Sequence, residues 1–273
     1  ANRQPPTANR QPPTANRQKM SYTVTKDSLE SRMMRDSTYL AMRRPAIKGS
    51  FDLDVTPAMN RIWELKDAGG SNISLACYLM YAYLKTLEKF PELNSMLNYK
   101  GDVYTFEDVD LFIPIQVLKD RKLHLRHAII RKANQLLLEE LSERLGAERK
   151  KSLKPLMPSQ KAFLRLPFFL RKLGYKIWMG FPLQFKHQLG TSTFSYLRLP
   201  PGSNTDARIH LSSINVHPTS LTIAAQSTRR LKEGERHIAN ASFSTDHRLV
   251  DGMPLLKAGA YFEKIVRQCQ GLP

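Results

Sequence analysis

Helices packed on a mixed β-sheet, in an α/β or α+β arrangement, are the fold class this chain predicts. Three observations carry it. Apolar residues recur at helical spacing over several long segments. Other segments alternate with period two. The strand-like runs crowd towards the C-terminus with short turns between them, which makes that half mostly antiparallel. At 273 residues the chain is one large domain or two modest ones, ample for a packed core.

The elements follow in order. Residues 1–18 read ANRQPPTANRQPPTANRQ, a seven-residue unit without a large apolar side chain. Such a unit cannot bury enough surface to offset the entropy of ordering, so 1–19 read as a disordered repeat, linker or tag, and 20–273 as the folded domain. Ser28 to Arg44 predicts a helix, and GSFDLDV a strand. Thr56 as cap, Pro57 in the first turn and a closing Gly-Gly frame a second helix. Ile73 to Phe90 is a strongly apolar, central helix, VDLFIPIQVL a buried strand, and Ala133 to Leu145 another helix. Prolines at 155, 158, 167 and 182 break 152–188 into short helices. TSTFSYL, RIHLSSINV, SLTIAAQS and HIANASFST read as strands, LKEGER as a hairpin turn with Gly234 at its tip, and Ala258 to Cys269 as a closing helix.

The formal net charge is +18. It is uneven: Arg149 to His187 holds ten lysines and arginines and no acid. This basic, aromatic insertion at about 149–188 suits a phosphorylated cofactor, a protein partner or a membrane surface. Nucleic acid is the least favoured partner, because no helix-turn-helix, RNP or zinc-finger pattern accompanies the charge. Cys77 sits in an apolar run and reads as a core residue. Two cysteines cannot make a disulfide framework or a structural zinc site, which predicts a reducing compartment, cytoplasm or mitochondrial matrix. No apolar run reaches the roughly 20 residues of a membrane-spanning helix, no secretory leader pattern occurs, and no histidine pair has metal-ligand spacing.

The densest chemistry lies in STDHRLVDGM, Ser244 to Met253. His247 follows a strand and precedes a glycine-containing turn, a junction that presents a side chain on a rigid support. A histidine can take a proton near neutral pH. Asp251, four residues on, can orient a neighbour or pair with an arginine. By spacing alone the stretch reads more readily as a solvated strand-to-helix loop, since histidine plus aspartate at short spacing is common.

Further segments change the balance. DHRLVDG resembles the Asp-His-Arg-x-x-Asp-Gly motif of the catalytic domain of 2-oxoacid dehydrogenase dihydrolipoamide acyltransferases, to which chloramphenicol acetyltransferases are related. VDLFIPIQV after PELNSML, SFDLDVT, and GTSTFSYL resemble other family segments, in the family's order, across about 28–270. The resemblance implies a chloramphenicol acetyltransferase-like sandwich, a homotrimer or higher assembly, and an active site at each subunit interface. It implies coenzyme A or dihydrolipoamide thioesters as substrates, without metal. His247 is then the general base, Ser195 the hydroxyl facing the developing oxyanion, and Thr193 a neighbouring substrate-binding candidate. Asp251 becomes a scaffold residue, ion-paired to Arg32 or Arg35.

Two departures qualify the likeness. No Asp-Lys-Ala lipoylation sequence occurs, so no covalent lipoyl is expected on this chain, which reads as a catalytic fragment or a stand-alone member. The family's Asn-Leu-Gly after the serine is replaced by YLRLPPG. A catalytically silent assembly subunit beside other dehydrogenase-complex subunits, and a membrane-surface protein, are the alternatives. The remaining histidines, 124, 127, 187, 210, 217 and 237, read as surface or satisfied structural residues.

Overall fold

Ser28 caps the first helix, α1 (Leu29–Ala41): its hydroxyl accepts the Ser31 N–H at 3.1 Å, satisfying one of the orphan donors of the first turn. The computed structural model describes residues 27–70, 72–119, 122–152, 155–197, 210–231 and 234–273. The N-terminal repeat lies outside them. β1 (Ala46–Asp54) leads into α2 (Thr56–Asp67). Thr56 is not the cap predicted for α2. It is the first helical residue, its N–H bonds to Asp54 Oδ1 at 2.9 Å, and its hydroxyl accepts the His237 N–H at 2.7 Å.

α3 (Leu75–Lys89), capped by Ser74, is buried along nearly its whole length and includes Cys77, whose thiol burial pushes up to about 11. β2 (Ser95–Leu97) and β3 (Val103–Thr105) form a small separate hairpin. β4 (Leu111–Lys119) pairs with β5 (Lys122–Ile130), a strand that hydrophobic pattern alone does not predict. The reason is Arg126. It occupies an inward position that a core residue would normally take, and it is accommodated there by Glu148 at 3.3 Å. Glu148 belongs to α4 (Leu138–Lys150), which begins later than predicted because Ala133–Gln135 is a separate 3-10 turn.

The insertion forms three short helices: α5 (Pro158–Arg165), α6 (Phe168–Met179) and α7 (Pro182–Leu189). Pro158 and Pro182 open α5 and α7, where a missing N–H costs nothing. β6 (Ser192–Leu197), β7 (Thr219–Leu231) and β8 (Gly234–Asp246) follow, and α8 (Gly252–Arg267) ends the fold. In the β7–β8 hairpin Leu231 faces Gly234, and the connecting residues 232–233 lie outside the described chain. Among the described residues no helix is long and apolar enough to cross a membrane.

The main sheet has the order β1-β8-β7-β6-β4-β5, with β6 parallel to both β7 and β4 and the other pairs antiparallel. Period two gives it two unlike faces. One carries Phe194, Leu221, Ile223, Ala241 and Phe243 into the core with α3 and α8; Phe243 touches Tyr83 and Phe262 with ring centroids 5.8 and 5.6 Å away. The other carries Thr193, Ser195, Ser220, Thr222, Asn240, Ser242 and Ser244, all buried.

RIHLSSINV does not become a strand where it is described. His210 bonds Asn240 on β8 at 2.6 Å, Ser213 bonds Thr222 on β7 at 2.6 Å, and His217, just after the run, bonds Thr193 on β6 at 2.6 Å. Residues 210–217 therefore cross the hydroxyl-rich face and bond Thr193, Thr222 and Asn240 on it through side chains. The alternating pattern reflects this cover and not a ladder.

Candidate active site

The turn after β8 is held from both sides. The Asp246 N–H donates to Pro218 O at 2.8 Å, just before β7, and the His247 N–H donates to Pro45 O at 2.7 Å, just before β1. Leu249 and Val250 close the turn by donating to Asp246 O at 2.9 and 3.2 Å. The Asp246 carboxylate is fully buried. It accepts from Arg248 N and Nε through Oδ1 at 3.1 and 2.9 Å, and from Arg248 Nη2 and Arg44 Nη1 through Oδ2 at 2.5 and 3.4 Å. Burial works against its charge, but the bonds from Arg248 and the charges of both arginines outweigh it and hold Asp246 below the usual carboxylate range. Burial in turn pulls Arg44 down to about 10. Sequence reasoning passed over Arg44 and treated Asp246 only as part of a motif.

His247 projects from this frame with its side chain half exposed. Its Nδ1 lies 3.2 Å from Val250 O. A carbonyl only accepts, so Nδ1 is the nitrogen that carries the hydrogen in this contact, and in the neutral ring Nε2 is then the one able to take a proton. Asp251 stands at the start of α8 without capping it. It is largely exposed, and Oδ1 lies 3.7 Å from Nδ1 of His247. The ion pair anticipated between Asp251 and Arg32 or Arg35 is not made within the chain. Arg32 and Arg35 hold Asp27 instead, at 2.7 and 2.5 Å. The buried acid of the motif is Asp246, and the arginine that meets it lies just after α1.

Ser195 and Thr193 share the hydroxyl face of β6 and are both buried. Thr193 is committed: it donates to Nδ1 of His217, whose Nε2 donates to Leu189 O at 2.8 Å. His217 lies among the rings of Phe112 and Phe185, and burial lowers it to about 4, so it is a neutral structural residue. Ser195 sits opposite Thr222, which sits opposite Ser242. From Ser242 to His247 the chain advances five residues, and β6 is two strands from β8. Strand spacing then puts Ser195 and His247 roughly 20 Å apart in one chain. The two do not meet within a single copy. Among the described residues no three histidine, cysteine, aspartate or glutamate side chains gather at a metal-binding distance.

No family model matches the sequence, and no curated protein matches it either. Solved structures do. A probable dihydrolipoamide acetyltransferase from Listeria monocytogenes superposes with a TM-score of 0.60 over 91% of this chain and 95% of its own, at 15% identity. The dihydrolipoamide acetyltransferase of Azotobacter vinelandii gives 0.62 over 93% and 94%, at 14% identity. This chain has the fold of a dihydrolipoamide acetyltransferase catalytic core. A chloramphenicol acetyltransferase shares the fold more distantly, with a TM-score of 0.50 over 90% and 98% at 14% identity. The acetyltransferase-core fold predicted from the motif order is thus the one observed, with His247 at the C-terminal end of its longest antiparallel hairpin.

Proposed function

We propose that this chain is an acyltransferase that moves an acyl group between thioesters, with His247 as general base. The observation that carries the reading is the half-exposed imidazole of His247, whose Nδ1 faces Val250 O at 3.2 Å on a turn anchored to the residues just before β1 and β7. Nε2 takes the proton of a thiol, that of coenzyme A or dihydrolipoamide. The thiolate adds to the carbonyl of the bound thioester, and the C=O electrons move onto oxygen. Collapse of this adduct expels the second sulfur, which recovers the proton from the imidazolium. Ser195 donates to the oxyanion.

Because Ser195 and His247 of one chain stand far apart, the site needs His247 of one copy and Ser195 of another. A symmetric assembly, a trimer or larger, supplies that pairing. The cubic core of the pyruvate dehydrogenase multienzyme complex, similar in fold with a TM-score of 0.62 at 15% identity, shows that the architecture supports symmetric assembly elsewhere. In the Azotobacter vinelandii enzyme a serine, a histidine and an asparagine were investigated for their role in catalysis. The serine precedes the histidine there by the same number of positions as Ser195 precedes His247, and the asparagine follows it by four, where this chain has Asp251. Coenzyme A acts as substrate in this scheme, and the cations of 149–188 favour its phosphates.

The burial of Ser195 in the single chain favours a second reading, a silent assembly subunit. Thioester exchange assayed with wild type and His247→Ala separates the two. The acyltransferase reading expects a loss of about 100-fold or more in kcat, with folding unchanged because His247 is half exposed. Equal rates in the two proteins exclude His247 as base. Absence of turnover with every acyl thioester supports the silent subunit. Co-assembled His247→Ala and Ser195→Ala chains are expected to regain activity at roughly a quarter of the sites, since random mixing restores that share of mixed interfaces.

A further inference from the structure

Helix α6 is built inside out. Its inward side chains are polar: Arg171 makes a bidentate pair with Asp36 of α1, Nε to Oδ2 at 2.7 Å and Nη2 to Oδ1 at 3.0 Å, and Tyr175 donates to the same carboxylate at 3.2 Å. Asp36 is 1% exposed and Arg171 6%. Its outward side chains are apolar: Phe169, Leu170, Leu173 and Ile177 are 67%, 43%, 56% and 56% exposed. At about 100° per residue these four fall on one arc, and Lys172 and Lys176 flank it on one side. A helix docked on its own core does the reverse. Here the ion pair to α1 and the stacking of Trp178 on Phe185 hold the helix, and the apolar stripe is left over.

We propose that this face rests on a membrane surface rich in anionic phospholipid. The stripe enters the boundary between headgroups and acyl chains, and Lys172 and Lys176 meet the phosphates. Charge selects this occupant over the same face of a second copy of the chain. From Arg149 to His187 there are ten cations and no acid. Two such faces joined about a two-fold axis would set like charge against like, with no carboxylate of the segment to neutralise it. An anionic bilayer complements both the stripe and its rim. At twelve residues α6 is suited to lying on the surface, not to spanning it. The proposal does not depend on catalysis by His247.

The test is co-sedimentation of the full chain with phosphatidylcholine vesicles, with and without phosphatidylglycerol. It is run on wild type and on the double variant Leu173→Glu, Ile177→Glu, with circular dichroism and light scattering of both proteins. Binding to the phosphatidylglycerol vesicles is expected, falling at least about tenfold in the double variant and at high salt. A wild type that stays in the supernatant overturns the proposal, and so does a variant that binds as well as wild type. A variant of smaller oligomeric state also overturns it, because the face is then a contact between copies.

Discussion

Arg44 and Asp246 meet at 3.4 Å with both side chains buried, and the turn that carries His247 begins at the second of them. The pair joins the end of α1 to the end of β8, and Arg248 clamps the same carboxylate from the solvent side at 2.5 Å. The turn that carries His247 is therefore braced by an acid beside it in sequence, Asp246, whereas Asp251 is largely exposed.

The two partners are not equivalent. Asp246→Ala leaves Arg44 buried without its counter-charge and is expected to cost about 3–5 kcal/mol in urea unfolding. Arg44→Met leaves Asp246 still paired with Arg248 and is expected to cost clearly less. Equal losses from the two substitutions would refute this division of roles.

His217 predicts acid sensitivity. Burial lowers it to about 4 in the folded protein, against about 6.5 when exposed. The unfolded chain therefore binds more protons between these values. The stability that His217 contributes is complete above pH 6.5 and is lost as pH falls towards 4, about 3 kcal/mol in all. His127 shifts in the same direction through partial burial and the nearby Arg126, but it faces solvent and contributes less. Urea midpoints measured across this range should fall steeply in wild type and more gently in His217→Gln. Parallel curves would show that the imidazole is not the group responsible.

Gly190 sets the start of β6. Its φ is +83°, and a Cβ there would collide with the Asp110 carbonyl oxygen, which also accepts the Thr191 N–H at 2.7 Å. Gly190→Ala is expected to cost about 2 kcal/mol or more through strain and overlap. If the hydroxyl strand is part of the site, the same substitution lowers acyl transfer while leaving His247 untouched. Thermal unfolding alongside the exchange assay checks both effects.

The sequence by itself determined the fold class, the order of most elements and the position of His247. Helical periodicity over Ile73 to Phe90, the period-two run of β8 and the spacing of the motif are local properties that survive without tertiary contacts. Only the tertiary structure decided the rest. The strand β5 is hidden in sequence because Arg126 fills a core position, and an arginine is tolerated there only once Glu148 folds back on it. RIHLSSINV alternates like a strand yet runs across a sheet face, since its polar side chains find partners on two different strands and His217, just after it, on a third. Asp246 and Arg44 lie some two hundred residues apart, and no local pattern announces a buried charge pair. Charge burial is settled by what the fold brings alongside, and it places Arg171 inward and Phe169 outward against the ordinary rule for helices.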